Sequence, residues 1–196
     1  MKYYPDGLTV KTVKINIDGQ DVKAQAGKSV LEAALDAGIY IPHLCHHPDL
    51  SPIGACRLCI VEIEGVEGLP NSCLTPVSDG MTVRTKTEKI DQRRRLAMEL
   101  ILAGHPQDCE SCHKYLNCEV QSLKQYLISK ELRVRLRTKL LPINKSNPLF
   151  LLEPDKCVVC GRCVRACHEL RAVGVFFYKK KENEYGSEEV SKDRGE

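Results

Sequence analysis

Eleven cysteines in a chain of 196 residues gather into three tight groups, at 45–73, 109–118 and 157–167. An odd number argues against a fully paired disulfide framework, and the opening segment MKYYPDGLTV has no long apolar stretch of the signal-peptide kind. Thiols kept reduced as metal ligands are the simpler reading, with cytoplasmic residence the expected compartment. With no Trp and only three Phe, any single core is modest, so bound metal is expected to help hold the structure together.

The first group, Cys45, Cys56, Cys59 and Cys73, is spaced C-x10-C-x2-C-x13-C. Four thiolates converging from a long loop suit a 2Fe-2S core, and the small residues Ser51, Gly54 and Ala55 let backbone approach the sulfides. Zinc accepts the same four ligands, but the strand, strand, helix, loop order around them is that of a ferredoxin.

The second group adds an imidazole: His105, Cys109, Cys112 and Cys118, spaced H-x3-C-x2-C-x5-C after Gly104. Zinc accepts the same four groups; in an iron-sulfur cluster, a neutral ligand in place of a thiolate makes the cluster less negative and raises its potential, the direction that histidines give in Rieske centres. The third group, Cys157, Cys160, Cys163 and Cys167, is the C-x2-C-x2-C-x3-C run of bacterial ferredoxins, expected to hold a second 4Fe-4S cluster. Cys167 is followed by His168 and not proline, and no further cysteine occurs before Glu196. The fourth ligand of this cluster is therefore open between Cys167, a partner's residue and a segment outside this chain. The three sets use every cysteine. His43, His46, His47, His113 and His168 are expected to be surface residues or hydrogen-bond donors near the clusters.

Elsewhere, alternation over 10–17 (VKTVKINI), Asp18-Gly19 and the stretch to Ala26 predict a hairpin with a type I′ turn. Ser29 and Glu32 fit a capping box for a helix ended by Gly38. The stretch AGKS at 26–29 is not a phosphate loop, because the first glycine of that motif would fall at Val22. Strands are expected at 58–64 and 81–86, and helices at 88–103 and Val120 to Ile128. On the helix 88–103, Ile90, Leu96, Leu100 and Ile101 are placed on one apolar side and Arg93, Arg94 and Arg95 on a solvated face. The basic stretch 131–145 is read as a linker, a strand is expected from Leu149, and the polar tail after Tyr178 is expected to be mobile.

Taken in order, CHHPDLSPIGACRLC with Cys73, HPQDCESCHKYLNC and CVVCGRCVRAC resemble the N-terminal iron-sulfur module of the large electron-input subunit of complex I. Iron-only hydrogenases, some NAD-dependent formate dehydrogenases and the small diaphorase subunit of NAD-reducing nickel-iron hydrogenases carry a similar module. The resemblance spans almost the whole chain. It implies an α+β architecture: a plant-type β-grasp 2Fe-2S domain over 1–85, a histidine-ligated 4Fe-4S domain over 86–148, and a bacterial-ferredoxin-like segment over 149–196.

The expected function is a multi-cluster electron-transfer subunit, not itself catalytic. It would relay electrons between a flavin- or NAD(H)-binding partner and a catalytic subunit of a hetero-oligomeric oxidoreductase. Two other readings compete with it: the leading fragment of a hydrogenase or formate dehydrogenase subunit, and a zinc-stapled adaptor. No G-x-G-x-x-G follows a strand, so a Rossmann nucleotide site is not indicated in this chain. The formal charge of +3 counts every thiol as neutral and gives no support to nucleic-acid binding. No run of apolar residues is long enough for a transmembrane helix, so direct membrane insertion is not expected.

Overall fold

The computed structural model describes residues 11–128, 132–133, 142–145, 148, 151–179 and 189–191. The chain divides into two compact units, one formed by the chain to Pro42 with Cys59–Gln92, the other by His43–Leu58 with the chain from Arg93.

The first unit is a mixed four-stranded sheet with one helix. Strands β1 (Thr12–Ile17) and β2 (Gln20–Gln25) form the expected hairpin, with Asp18 and Gly19 at φ 51 and 86 as a type I′ turn requires. Alternation then places Val13, Ile15, Ile17, Val22 and Ala24 in the core. Helix α1 (Val30–Asp36) starts from the Ser29/Glu32 capping box. It ends in a Schellman turn, in which Gly38 at φ 75 donates to the Leu35 carbonyl and Ile39 to that of Ala34. Its buried face, Val30, Leu31, Ala33 and Ala34, packs in the same core.

Strands β3 (Glu62–Ile63) and β4 (Thr82–Arg84) complete the sheet in the order β2-β1-β4-β3, with β4 parallel to β1 and antiparallel to β3. The strand expected over 58–64 is shorter than its apolar run, because Ile60 makes only an isolated bridge to Asn71. A polar clamp secures the parallel edge: Asp18 Oδ1 accepts from the Thr85 backbone N–H at 2.7 Å, and Oδ2 accepts from the Thr85 hydroxyl.

Helix α2 (Glu88–Ala103) occupies the expected residues, and the division between units falls within it at Gln92/Arg93. Its buried positions differ from the sequence reading. Ile90, Arg94, Met98, Glu99 and Leu102 are buried, whereas Leu96 and Leu100 are exposed. Of the three arginines only Arg93 is exposed. Arg94, 3% exposed, donates from Nε to the Leu58 carbonyl at 2.9 Å. Glu99 is buried because two guanidiniums neutralise it: Arg95 at 3.0 Å, and Arg133 in a two-pronged pair with Nη2 at 2.9 Å. The Arg133 hydrogen bonds, then those of Arg95, hold the Glu99 carboxyl below its usual range against the opposing effect of burial. Arg133 is thus an ion-pair partner and not simply part of a solvated linker; most of the remaining stretch to 145 lies outside the described residues.

Helix α3 (Glu119–Leu127) follows the second cysteine group, with Val120 and Leu123 in a core shared with Leu44, Cys45, Cys56, Leu58, Met98 and Leu102. Leu149 lies outside the described residues. Leu152 makes a bridge to Asn144 in place of a strand, followed by one 3-10 turn at Pro154–Lys156. Helix α4 (Arg162–Arg165) runs into a π-turn at Ala166–Leu170. Beyond it β5 (Phe177–Lys179) pairs antiparallel with β6 (Glu189–Ser191), so part of the tail expected to be mobile is paired; its other residues lie outside those described. Among the described residues, no helix is long and apolar enough to cross a membrane.

The Asp18 clamp makes a direct prediction. Asp18→Ala should lower stability in urea unfolding by about 2 kcal/mol, through loss of charge-assisted hydrogen bonds and the strain of a left-handed alanine. Asp18→Gly, which loses the bonds without the strain, should recover about 1 kcal/mol of that.

Candidate metal centres

Apart from Cys163 in α4 and Cys167 in the π-turn, the cysteines lie on irregular backbone, and each group contains a non-glycine residue in the left-handed region: Arg57 at φ 57, Leu116 at φ 61 and Val159 at φ 53. Left-handed residues turn successive N–H groups inward, toward a common point, at a cost of about 1–2 kcal/mol each. Such strain persists where the surroundings over-determine it and collects at ligand clamps.

Cys59 and Cys73, 1% and 2% exposed, belong to the core of the first unit. The residue between Ile60's partner Asn71 and Cys73 secures them: Ser72 donates to the Cys59 carbonyl from its N–H at 2.9 Å and its hydroxyl at 2.6 Å. Cys45 and Cys56, 2% and 9% exposed, lie in the core of the second unit. Their thiols are hydrogen-bonded to one another. That bond and then burial push the Cys56 thiol far up, while backbone N–H groups of Leu58 and Cys45 act the other way. N–H groups aimed at a sulfur are the donors that stabilise a thiolate once a metal replaces its proton.

The second set is gathered around one cavity of about 540 Å³, lined by His105, Cys109, Cys112 and Cys118. His105 Nδ1 lies 2.7 Å from the Pro106 carbonyl oxygen. A carbonyl can only accept, so Nδ1 carries the proton and Nε2 keeps its lone pair for a metal. Gln107 ties this turn down, donating to the His105 carbonyl at 3.0 Å and accepting from Lys124 Nζ at 2.9 Å. Lys114 N–H points to Cys112 Sγ at 3.5 Å. Cys118 is the N-cap of α3 and makes no side-chain cap bond there.

In the third set Cys157 and Cys163 are exposed, Cys160 is half-buried and Cys167 is buried in the π-turn. Desolvation, then the neighbouring thiols of Cys157 and Cys160, push the Cys163 thiol up, which marks these three as a local group. Cys160 also lines the His105 cavity, a placement that spacing does not reveal. Val159 N–H points to Cys157 Sγ at 3.4 Å.

The donor chemistry fits clusters. Among the described residues, no three His, Cys, Asp or Glu side chains gather tightly enough to hold a single metal ion. The second set lines a cavity of about 540 Å³, and three thiols with one imidazole are a donor set that could hold an iron-sulfur cluster there. Of the remaining histidines, His47 accepts at Nδ1 from the Asp49 N–H at 3.3 Å, His168 donates to the Phe176 carbonyl at 3.1 Å, and the rings of His43 and His46 meet edge-on at 5.6 Å.

Comparison with known proteins points to the same chemistry. Residues 10–88 match the 2Fe-2S iron-sulfur cluster binding domain, and residues 94–133 match the NADH-ubiquinone oxidoreductase-G iron-sulfur binding region. A chain of an NAD+-reducing nickel-iron hydrogenase, solved in the H2-reduced state, superposes with a TM-score of 0.83 at 31% identity, over 92% of this chain and 74% of that one. The chain belongs to the family of iron-sulfur modules represented by that chain of the NAD+-reducing nickel-iron hydrogenase. The NADPH-Fe(3+) oxidoreductase subunit alpha of Geobacter sulfurreducens is 38% identical over 81% of this chain, and the mitochondrial NADH-ubiquinone oxidoreductase 78 kDa subunit of Candida albicans is 35% identical over 84% of it. The chain spans 19% and 23% of the length of these two relatives. As in the family, it has a 2Fe-2S domain and a 4Fe-4S binding region. The third cysteine run lies beyond both matched stretches.

Residues that sequence reasoning passes over are the arginines holding the ligand loops. Arg94 repeats at i+4 from Ile90 and i−4 from Met98, a spacing that could have placed it on the buried stripe. Arg94→Met should lower stability in urea by about 1–3 kcal/mol, because the buried Leu58 carbonyl loses this donor. It should also release iron to a chelator faster, whereas Arg93→Met should leave both measurements within error.

Proposed function

We propose that the chain is an iron-sulfur electron-transfer module, relaying electrons between a flavin- or NAD(H)-linked partner and a catalytic subunit of a larger oxidoreductase. Cys45, Cys56, Cys59 and Cys73 would hold a 2Fe-2S cluster in a β-grasp domain over residues 1–85. His105, Cys109, Cys112 and Cys118 would hold a 4Fe-4S cluster in the segment to 148. Cys157, Cys160 and Cys163 would hold a second one in a ferredoxin-like segment, with Cys167 the candidate for its fourth ligand within this chain. Bound clusters of these types supply one-electron chemistry over a wide range of potentials.

The observation that carries this reading is the cavity around His105. Three thiols and one imidazole line it, and the Pro106 carbonyl engages Nδ1 of the imidazole, which leaves Nε2 as the ring nitrogen open to a metal. What the protein contributes is placement. Buried sulfurs at the first set limit water, N–H groups stabilise thiolates, and the neutral imidazole removes one negative charge from the second site. The proposed ligand sets use every cysteine of this chain and so leave none in it for a hydrogen-activating cluster. The relatives named as oxidoreductase subunits support hetero-oligomeric assembly, in which donor and acceptor are other chains.

Protein purified without oxygen should contain roughly ten irons with matching acid-labile sulfide, the sum of one 2Fe-2S and two 4Fe-4S clusters. About six would place completion of the third cluster outside this chain, and zinc without sulfide would overturn the reading. His105→Cys should retain the iron and lower the potential of one 4Fe-4S signal, because a thiolate adds negative charge. An unchanged potential would remove His105 from the ligand set.

A further inference from the structure

The segment carrying the third cysteine run is bonded to the loop carrying Cys45 and Cys56 through charged side chains of α4 and the π-turn. Arg165, only 8% exposed, donates from Nη1 to the Ser51 carbonyl at 2.6 Å and from Nη2 to the Cys45 carbonyl. Arg162 donates from Nη2 to the His46 carbonyl at 2.9 Å, and its Nη1 is held by Glu119 at 2.7 Å. Glu169 Oε2 accepts from the Ser51 N–H at 2.7 Å. A buried guanidinium is costly unless its charge is used or compensated, and the acceptors at Nη1 and Nη2 of Arg165 are carbonyl dipoles, not a carboxylate. One of those carbonyls belongs to a candidate cluster ligand.

We infer that Arg165 and Glu169 are the charged residues through which the third cysteine segment tunes the reduction potential of the 2Fe-2S cluster at Cys45. The inference rests on the reading of Cys45, Cys56, Cys59 and Cys73 as the ligands of that cluster. Reduction adds one negative charge to the cluster, so a nearby buried cation favours the reduced form and raises the potential. Arg165 supplies that cation, held against the ligand's own backbone. Glu169, exposed and bonded six residues further along the same loop, opposes it more weakly because solvent screens it.

The test is a redox titration of the 2Fe-2S signal by electron paramagnetic resonance, on the full chain purified without oxygen. Arg165→Gln should shift the ratio of oxidised to reduced cluster at a fixed potential about tenfold toward oxidised, which is a fall of about 59 mV for a one-electron couple. Glu169→Gln should shift it the other way, by less. Arg165→Lys should keep the wild-type potential while losing thermal stability, because charge is retained and the two-pronged bonding is not. An Arg165→Gln protein with an intact signal at the wild-type potential overturns the inference. So does an Arg165→Lys potential that falls with it, since the shift would then follow the lost hydrogen bonds and not the charge. Should Arg165→Gln fail to retain the cluster, Glu169→Gln decides: a raised potential supports the inference and an unmoved one overturns it. A wild-type protein without a 2Fe-2S signal would instead overturn the ligand reading, and the inference with it.

Discussion

Backbone carbonyls without secondary-structure partners are the constraint on which the second unit depends. A loop that brings cysteines together cannot also be a strand or helix, so its peptide groups must be satisfied some other way when they are buried. Arginine solves this for residues 45–58. Arg94 takes the Leu58 carbonyl, Arg162 that of His46, and Arg165 those of Cys45 and Ser51. A guanidinium offers five donors in a rigid fork, so one side chain can fix two carbonyls at once, which lysine cannot do with the same geometry. Arg165, whose Nη1 and Nη2 meet carbonyls and not a carboxylate, also adds positive charge beside Cys45, where a ligand thiolate would bring negative charge, so loop closure and electrostatic compensation would use the same group.

The left-handed residues set a second condition. Arg57, Leu116 and Val159 each adopt a conformation that a β-branched or long side chain ordinarily avoids, and each lies within a cysteine group. Three such residues cost several kcal/mol together, comparable with a large part of a small domain's net stability. Folding these segments around tightly bound clusters would offset that cost, so on the proposed ligand sets metal binding and folding would be linked in the second unit. In the first unit Cys59 and Cys73 are embedded in a sheet-and-helix core that has its own apolar content, so the dependence there is weaker.

This contrast also explains which features are legible in the sequence. The Asp18-Gly19 hairpin, the Ser29/Glu32 capping box, Gly38 as a helix stop and the span of α2 are all specified by residues within a few positions of one another. The cysteine spacings are equally local, and they lead to the cavity that His105, Cys109, Cys112 and Cys118 surround. Burial of charge is not legible in this way. Glu99 and Arg165 look like solvated residues because their partners, Arg133 and Cys45, lie 34 and 120 positions away; for Arg94 only its spacing from Ile90 and Met98 hints at burial, while its partner Leu58 lies 36 positions away. Periodicity puts Leu96 and Leu100 on the buried side of α2 and fails for the matching reason: the polar residues that take the buried positions do so through long-range pairing. Cys160 shows the limit within a motif, since its spacing groups it with Cys157 and Cys163 while its side chain also faces the His105 cavity.

Charge around the His105 cavity follows the same logic as at Cys45, with a different balance. Lys114, Lys124, Lys156 and Arg162 line it alongside Asp108, Glu119 and Glu153. Two of these cations are engaged by carboxylates: Arg162 by Glu119 at 2.7 Å and Lys156 by Glu153 at 2.5 Å. The Glu153 hydrogen bond, with the nearby Cys112 sulfur among the smaller causes, holds the Lys156 ammonium above its usual range, so it stays protonated beside the site. Lys124 is committed to the amide oxygen of Gln107, which leaves its charge uncompensated by that partner. A neutral imidazole and a retained cation both act to make this site less negative than a four-thiolate one in neutral surroundings. On the proposed ligand set, the imidazole and these cations would push the potential in the same direction, against the carboxylates of Asp108, Glu119 and Glu153.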